Sequence, residues 1–284
     1  MKGIMDKRVS SIIKEGVNLL EEAGVVNARS EATLLLRFIK KWQMHHLMMN
    51  MQETISQEDT EEFINLIKLR KNGYPLQYIT GTQEFMGLAF EVNPNVLIPR
   101  YDTEVLVEAI LSRDLPPKTR VVDVGTGSGA IAISLAKLKP EWEICAIDIS
   151  EKALEVADKN SRKHNVRITF FQGDLLESIK KTNIRPDLIV SNPPYIPALE
   201  IDSLMKEVQF EPYLALQGGE DGLAVYRRLI PQAFSLLGRQ GCLALEIGYN
   251  QGEAVSDLCK SEGFQQIEVI KDYQSHDRVV IGVK

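Results

Sequence analysis

Over roughly the first 75 residues, apolar positions recur with a helical period. Val9, Ile12, Ile13, Gly16, Val17 and Leu20 form one stripe; Leu34, Leu35, Phe38 and Ile39 form a second; Phe63, Ile64, Ile67 and Leu69 form a third. Ser56 stands before the acidic pair Glu58 and Asp59, the arrangement of an N-cap, and Gly73 with Pro75 ends the last stripe. A small helical domain over residues 1–82 is expected. Between Gln83 and Pro99 the pattern shortens: Phe85, Leu88, Phe90 and Val92 precede the turn-forming Asn93-Pro94-Asn95, then Val96, Leu97 and Ile98. This predicts a β-hairpin linker over 83–99.

From Arg100 to Lys284, short apolar runs alternate with amphipathic stretches. Strands are predicted at Val121–Val124, Ile144–Ile147, Ile168–Phe171, Leu188–Val190, Cys242–Ile247, Ile267–Ile270 and Arg278–Val283. Helices are predicted at Ala130–Leu138, Glu151 to about His164, about Gly222–Leu237 and about Gly252–Glu262. Alternation of this kind implies an α/β domain with a mostly parallel sheet covered on both faces. The short connection over Asp272–Asp277 predicts one antiparallel strand at the edge.

Composition narrows the function classes. The chain has 284 residues, enough for two domains, with 44% hydrophobic and 25% charged residues. The formal net charge is −6, and neither half is basic: 11 basic and 12 acidic residues precede Pro99, 22 and 27 follow. Long-range attraction to nucleic acid or an anionic membrane is not expected. Three cysteines without a CxxC pair argue against a disulfide framework or a zinc cluster. Met1 to Ser10 lacks the apolar core of a leader, and no apolar run spans a bilayer. A reduced, cytoplasmic setting is expected, with no metal.

Three segments carry chemistry. Gly125-Thr126-Gly127-Ser128-Gly129 follows a strand and opens a helix, with Asp148 at the end of the next strand. Glycines let a ligand approach the backbone, and the carboxylate can accept from both hydroxyls of a ribose. This marks a nucleoside-containing cofactor without separating NAD from S-adenosylmethionine. Asp174, followed by Leu175, stands after the third strand, where a carboxylate can take an adenine amine or simply be solvated. Asn192-Pro193-Pro194-Tyr195 follows the fourth strand. Its prolines carry no N–H, so their carbonyls are rigid acceptors; Asn192 adds an amide and Tyr195 a flat ring. This is a clamp for a planar group bearing an NH2, either an amide or a base amine.

Gly125 to Gly129, Asp148 and Asn192 to Tyr195 resemble the amino-directed, S-adenosylmethionine-dependent methyltransferases of the seven-stranded Rossmann-like class. Pro75–Gly81, Leu97–Arg100, Asp102-Thr103-Glu104, Phe210-Glu211-Pro212 and Gly218–Leu223 narrow the resemblance to the release factor glutamine methyltransferase family, the PrmC/HemK type. It covers nearly the whole chain. It implies methylation of the side-chain amide nitrogen of glutamine in the Gly-Gly-Gln motif of class I peptide-chain release factors, with S-adenosylhomocysteine as co-product. Gly125, Thr126, Gly127, Ser128 and Gly129 then wrap the methionine part of the cofactor, Asp148 holds the ribose, and Asp174 with Leu175 the adenine. Asn192 and the Pro193 carbonyl bind the glutamine amide, beside Pro194 and Tyr195. Two departures stand out: Tyr101 replaces the family's proline, and Leu175 an often aromatic residue.

The partners expected are release factors, not nucleic acid or membrane, for a monomeric enzyme. A nucleic-acid amine methyltransferase uses the same clamp on a flipped base, but the acidic balance opposes it. A cofactor-binding module without catalysis and an NAD-dependent dehydrogenase are the remaining alternatives. Met44–Met51, with His45 and His46, is read as methionine packing rather than a metal site. Lys40-Lys41 and Arg70-Lys71 are read as solvated helix faces, and Cys145 and Cys242 as core thiols.

Overall fold

The computed structural model describes residues 7–284, so the part of Met1 to Ser10 before Lys7 lies outside the described residues. The chain forms two compact units. One takes in Met1–Gly81 and Met205–Phe210, the other Thr82–Leu204 and Glu211–Lys284.

The smaller unit is helical: α1 (Val9–Glu22), α2 (Ala28–Lys40), α3 (Met44–Met49), α4 (Gln57–Lys71) and α5 (Leu76–Thr80). Val9, Ile12, Ile13 and Leu20 of α1 meet Ala32, Leu35 and Leu36 of α2 and Phe63 and Ile67 of α4 in one core. Ser56 caps α4, its hydroxyl accepting the Asp59 amide at 3.1 Å. Two readings are corrected, the solvated Arg70 and, apart from Met51, which packs against the core, the methionine packing of Met44–Met51. Arg70 is 5% exposed, because its guanidinium bridges Glu31 and Glu207, each at 2.5 Å. Helical period placed it beside solvated lysines; the returning segment 205–210 supplies the second carboxylate that makes burial tolerable. The methionines of α3 do not pack inward: Met48 is 66% and Met49 79% exposed, and Leu47 is the residue that enters the core.

The larger unit opens with a hairpin, β1 (Thr82–Phe85) and β2 (Leu88–Glu91), paired antiparallel. Its turn is Met86-Gly87, both at positive φ (50° and 71°), not the expected Asn93–Asn95. A two-residue turn of that hand matches strand twist, whereas Asn95 is held by the Asn93 side chain in a local turn after the hairpin. Nor is the hairpin a free linker, since Phe85 and Phe90 are fully buried in the larger unit's core.

There follow α6 (Glu104–Leu111), β3 (Arg120–Val124), α7 (Ala130–Leu138), β4 (Glu143–Asp148), α8 (Glu151–Lys163), β5 (Thr169–Gln172), α9 (Glu177–Lys180), β6 (Leu188–Ser191), α10 (Ala224–Leu236), β7 (Cys242–Glu246), α11 (Gly252–Glu262), β8 (Gln265–Lys271) and β9 (Asp277–Val283). The seven-stranded sheet runs β5-β4-β3-β6-β7-β9-β8. Alternate residues of β3 face opposite layers, Val121 toward α6 and α7, Val122 and Val124 toward α10 and α11. The antiparallel strand is β9, and it lies inside the edge, between β7 and β8. Its residues Arg278 to Gly282 are all buried, whereas β8 carries exposed Gln265, Glu268 and Lys271 and so takes the edge. Cys242 is buried as expected; Cys145 is only half-buried. No helix among the described residues is long and apolar enough to cross a membrane.

Strand order reverses between β3 and β6, which pair in parallel. In open α/β sheets, ligand crevices form at such a point, beyond the strands' C-terminal ends. The loops there are Gly125–Gly129 and Asn192–Tyr195.

Candidate functional site

The two loops leave from paired residues. Val124 and Ser191 are register partners, and the Ser191 hydroxyl donates to the Val124 carbonyl at 2.7 Å. The first loop then turns tightly, with Gly125, Gly127 and Gly129 all at positive φ. The Gly125 and Thr126 amides both donate to the Ile147 carbonyl at 2.9 Å, pinning the loop to the end of β4. A Cβ on Gly127 would meet nothing within 4 Å, so its outer side is open. A Cβ on Gly129 would lie 2.8 Å from Ile133 and 3.2 Å from Ala157, so bare backbone lets the loop pack closely against α7 and α8. The loop therefore has one packed side and one side free for a ligand.

Asp148 ends β4 and accepts the Gly127 amide at 2.8 Å and the Ser150 amide at 2.9 Å, one on each oxygen. Burial raises its carboxyl above the ordinary range, and these backbone donors oppose that rise. The Ile149 amide is a third backbone donor, and one acceptor site is left for a neighbouring hydroxyl. Asp123, on β3, is fully buried; its Oδ2 accepts the Thr126 hydroxyl at 2.6 Å and the Ala132 amide at 3.3 Å. Its Oδ1 has no hydrogen-bond partner among the described residues, and burial pushes the carboxyl up to about 7.

Asp174 is half-exposed after β5 and forms an ion pair with Arg228 of α10 through Oδ2. Its other oxygen is left to accept. Leu175 follows at φ 53°, a left-handed conformation that a branched side chain adopts only when its surroundings demand it. It borders the apolar layer under α10.

The second loop is held from behind. The Ile196 amide donates to Leu216 and the Gly218 amide donates back to Ile196, at 3.0 and 2.8 Å, so Gln217 bridges Ile196 in parallel. Gly222 must be glycine here, because a Cβ would stand 2.4 Å from the Tyr195 carbonyl. Gln251 donates to that same carbonyl at 3.1 Å. The Gly218–Leu223 segment is thus a strap that fixes the backbone of Tyr195.

The side chains of this loop rest on residues that the sequence left unassigned. Asn192 donates through Nδ2 to the Thr103 hydroxyl at 3.1 Å. Thr103 lies beside Glu246, the last residue of β7, and favours its charged form. The Tyr195 hydroxyl donates to Glu246 Oε1 at 3.4 Å. Burial of Tyr195, with the carboxylate of Glu246 beside it, pushes the phenol well above its usual range. Glu246 is 1% exposed, and burial pushes it up to about 7 against Thr103 and the charge of Arg278. Arg278 pairs with Asp102 at 3.3 Å and Asp272 at 2.9 Å. Behind these, Glu211 accepts the Ile98 amide at 3.1 Å and pairs with Arg100. Tyr101, which departs from the family's proline, is 65% exposed and lies in a short 3₁₀ turn that leads into α6.

Sequence reasoning singled out the glycine loop, Asp148 and Asn192–Tyr195, and the structure gathers them at one end of β3, β4 and β6. It missed Asp123, Glu246, Thr103 and Arg228 as individual groups. A signal existed for the first two: each is an acid inside an otherwise apolar strand. Thr103 stood only within the Asp102-Thr103-Glu104 segment of the resemblance, and Arg228 had none.

The family model described as "Methyltransferase small domain" matches residues 101–210, and "PrmC N-terminal domain" matches residues 11–81. A Moorella thermoacetica protein named release factor glutamine methyltransferase is 44% identical over 274 residues, covering 95% of this chain and 96% of its own. A Bacillus subtilis protein of the same name is 38% identical over 283 residues, covering 96% and 97%. Among solved structures, a methyltransferase from Pyrococcus furiosus aligns with a TM-score of 0.55 at 18% identity, over 78% of this chain and 98% of that one. That likeness shows a shared fold.

Proposed function

Because the chain belongs to the release factor glutamine methyltransferase family, we propose that it methylates the side-chain amide nitrogen of the Gly-Gly-Gln glutamine in class I peptide-chain release factors. The observation that carries this reading is the departure of the glycine loop and the Asn192–Tyr195 loop from paired residues of adjacent strands. A cofactor on one loop and an amide on the other then lie side by side.

The residues present fit S-adenosylmethionine. The open side of Gly125–Gly129 has room for its methionine part. Asp148 is the acceptor for the ribose hydroxyls, and Asp174 with Leu175 takes the adenine. S-adenosylmethionine, when bound, supplies an electrophilic methyl group and leaves as S-adenosylhomocysteine.

An amide nitrogen is a weak nucleophile because its lone pair is delocalised. The Asn192 side-chain oxygen and the Pro193 carbonyl are acceptors for its two N–H groups. Held there, the nitrogen presents its lone pair toward the other loop, and orientation lowers the barrier. The same oxygens face the positive charge that develops as the N–C bond forms. Pro193 and Pro194 make those carbonyls rigid, and the Tyr195 ring lies flat against the amide plane. The methylated nitrogen then loses its proton to water.

The helical unit, which carries the N-terminal family match, is the surface for the protein partner. The enzyme acts as a monomer in the cytoplasm, in keeping with three unpaired cysteines and an acidic balance. The test is mass spectrometry of an unmodified class I release factor incubated with the protein and S-adenosylmethionine, with Asn192→Ala as control. One methyl on the Gly-Gly-Gln peptide, absent with the variant, is expected. No methyl despite cofactor binding would overturn the reading and make RNA and DNA amines the next substrates to try.

A further inference from the structure

An asparagine side chain can present either of two edges, and only one serves an amide substrate. If Asn192 turned its NH2 toward the site, it would face the substrate's NH2 donor to donor. Its orientation is set by whatever binds its other edge. That group is the Thr103 hydroxyl, 3.1 Å from Nδ2. A threonine hydroxyl has one proton to give and lone pairs to accept. Thr103 is 4% exposed, so water does not compete freely for either role. Glu246, 1% exposed, lies beside it. With the Thr103 oxygen accepting from Nδ2, the Asn192 oxygen is turned away from Thr103.

We propose that Thr103 is a positioning residue for the methyl transfer: its hydroxyl fixes the Asn192 amide with its oxygen facing the substrate. This rests on the proposed role of Asn192 as the acceptor for the glutamine amide. The two residues stand on separate segments, the turn before α6 and the loop after β6. Thr103 itself touches neither substrate nor cofactor in this scheme.

The experiment compares Thr103→Val, which keeps the shape and removes the hydroxyl, with Thr103→Ser, which keeps the hydroxyl, and with Asn192→Ala. Steady-state methylation of an unmodified release factor by the full-length protein gives kcat and KM; calorimetry gives the affinity for S-adenosylmethionine. Thr103→Val is expected to lower kcat at least tenfold with cofactor affinity within twofold of wild type, and Thr103→Ser to recover to within threefold. Full activity of Thr103→Val beside an impaired Asn192→Ala would overturn the positioning role alone. So would Thr103→Ser as weak as Thr103→Val, or a loss that tracks weakened cofactor binding, since these mark a packing role. Normal turnover by Asn192→Ala would instead sink the underlying reading of the clamp.

Discussion

The Ser191 hydroxyl reaches across the sheet to the Val124 carbonyl at 2.7 Å, joining the last residues of β6 and β3 where the two functional loops begin. Both residues are buried. Ser191→Ala leaves that carbonyl without this donor, at a cost of about 1 kcal/mol. Because the bond also sets the spacing of the loops, kcat should fall more than stability does. Denaturant unfolding beside steady-state methylation checks this; equal, small effects on both would show that the sheet alone sets the spacing.

Gly127 separates folding from binding. Its φ of 56° favours glycine, yet a Cβ there meets no protein atom within 4 Å. Gly127→Ala is therefore expected to lose only about 1 kcal/mol of stability through backbone strain. The methyl group projects into the open side of the loop, so affinity for S-adenosylmethionine should drop tenfold or more. Calorimetry and thermal melting of the same variant decide it, and unchanged affinity would move the cofactor away from this loop.

Burial of Glu246 and Asp123 makes stability depend on pH. Glu246 holds its proton to about 7 when folded, against an ordinary 4.5. Between those values the unfolded chain has released a proton that the native state keeps, so stability falls as pH rises and levels off above about 7. Arg278 opposes the shift, and Asp102 and burial favour it. Asp123 acts in the same direction from 3.8 to about 7. At about 1.4 kcal/mol per pH unit, Glu246 contributes about 3 kcal/mol to the decline. Glu246→Gln should flatten it, gaining on wild type from pH 5 to pH 8; parallel stability curves for the two proteins would contradict the burial argument.

Ligand-induced melting separates the cofactor classes. S-adenosylmethionine at 100 times its dissociation constant should stabilise the fold by about 2.7 kcal/mol. NAD should leave the melting temperature unchanged. Stabilisation by NAD alone would revive the dehydrogenase alternative.

Much of the site was legible because its parts are local. The glycine loop, Asp148 and the Asn-Pro-Pro-Tyr run each express their chemistry within a few residues, directly after an apolar run that ends a strand. Ala130–Leu138 and Gly252–Glu262 were read to their true ends for the same reason: glycine stands at a boundary of each. The hairpin turn was misplaced because Asn93-Pro94-Asn95 carries stronger turn chemistry than Met86-Gly87, and only cross-strand pairing of Phe85 with Leu88 selects the latter.

The sequence by itself determined the alternation of elements, the two-layer cover of the sheet and the residue types at the strand ends, since these follow from hydrophobic period and from backbone limits on glycine and proline. Tertiary structure decided which distant groups meet. Thr103 lies 89 residues before Asn192, yet the two are hydrogen-bonded. Arg70 became a buried cation only because Glu207 returns to it across 137 residues. Period tells which face of an element is apolar; it does not name the partner that face receives. Hydrogen bonds in the buried site depend on that partner.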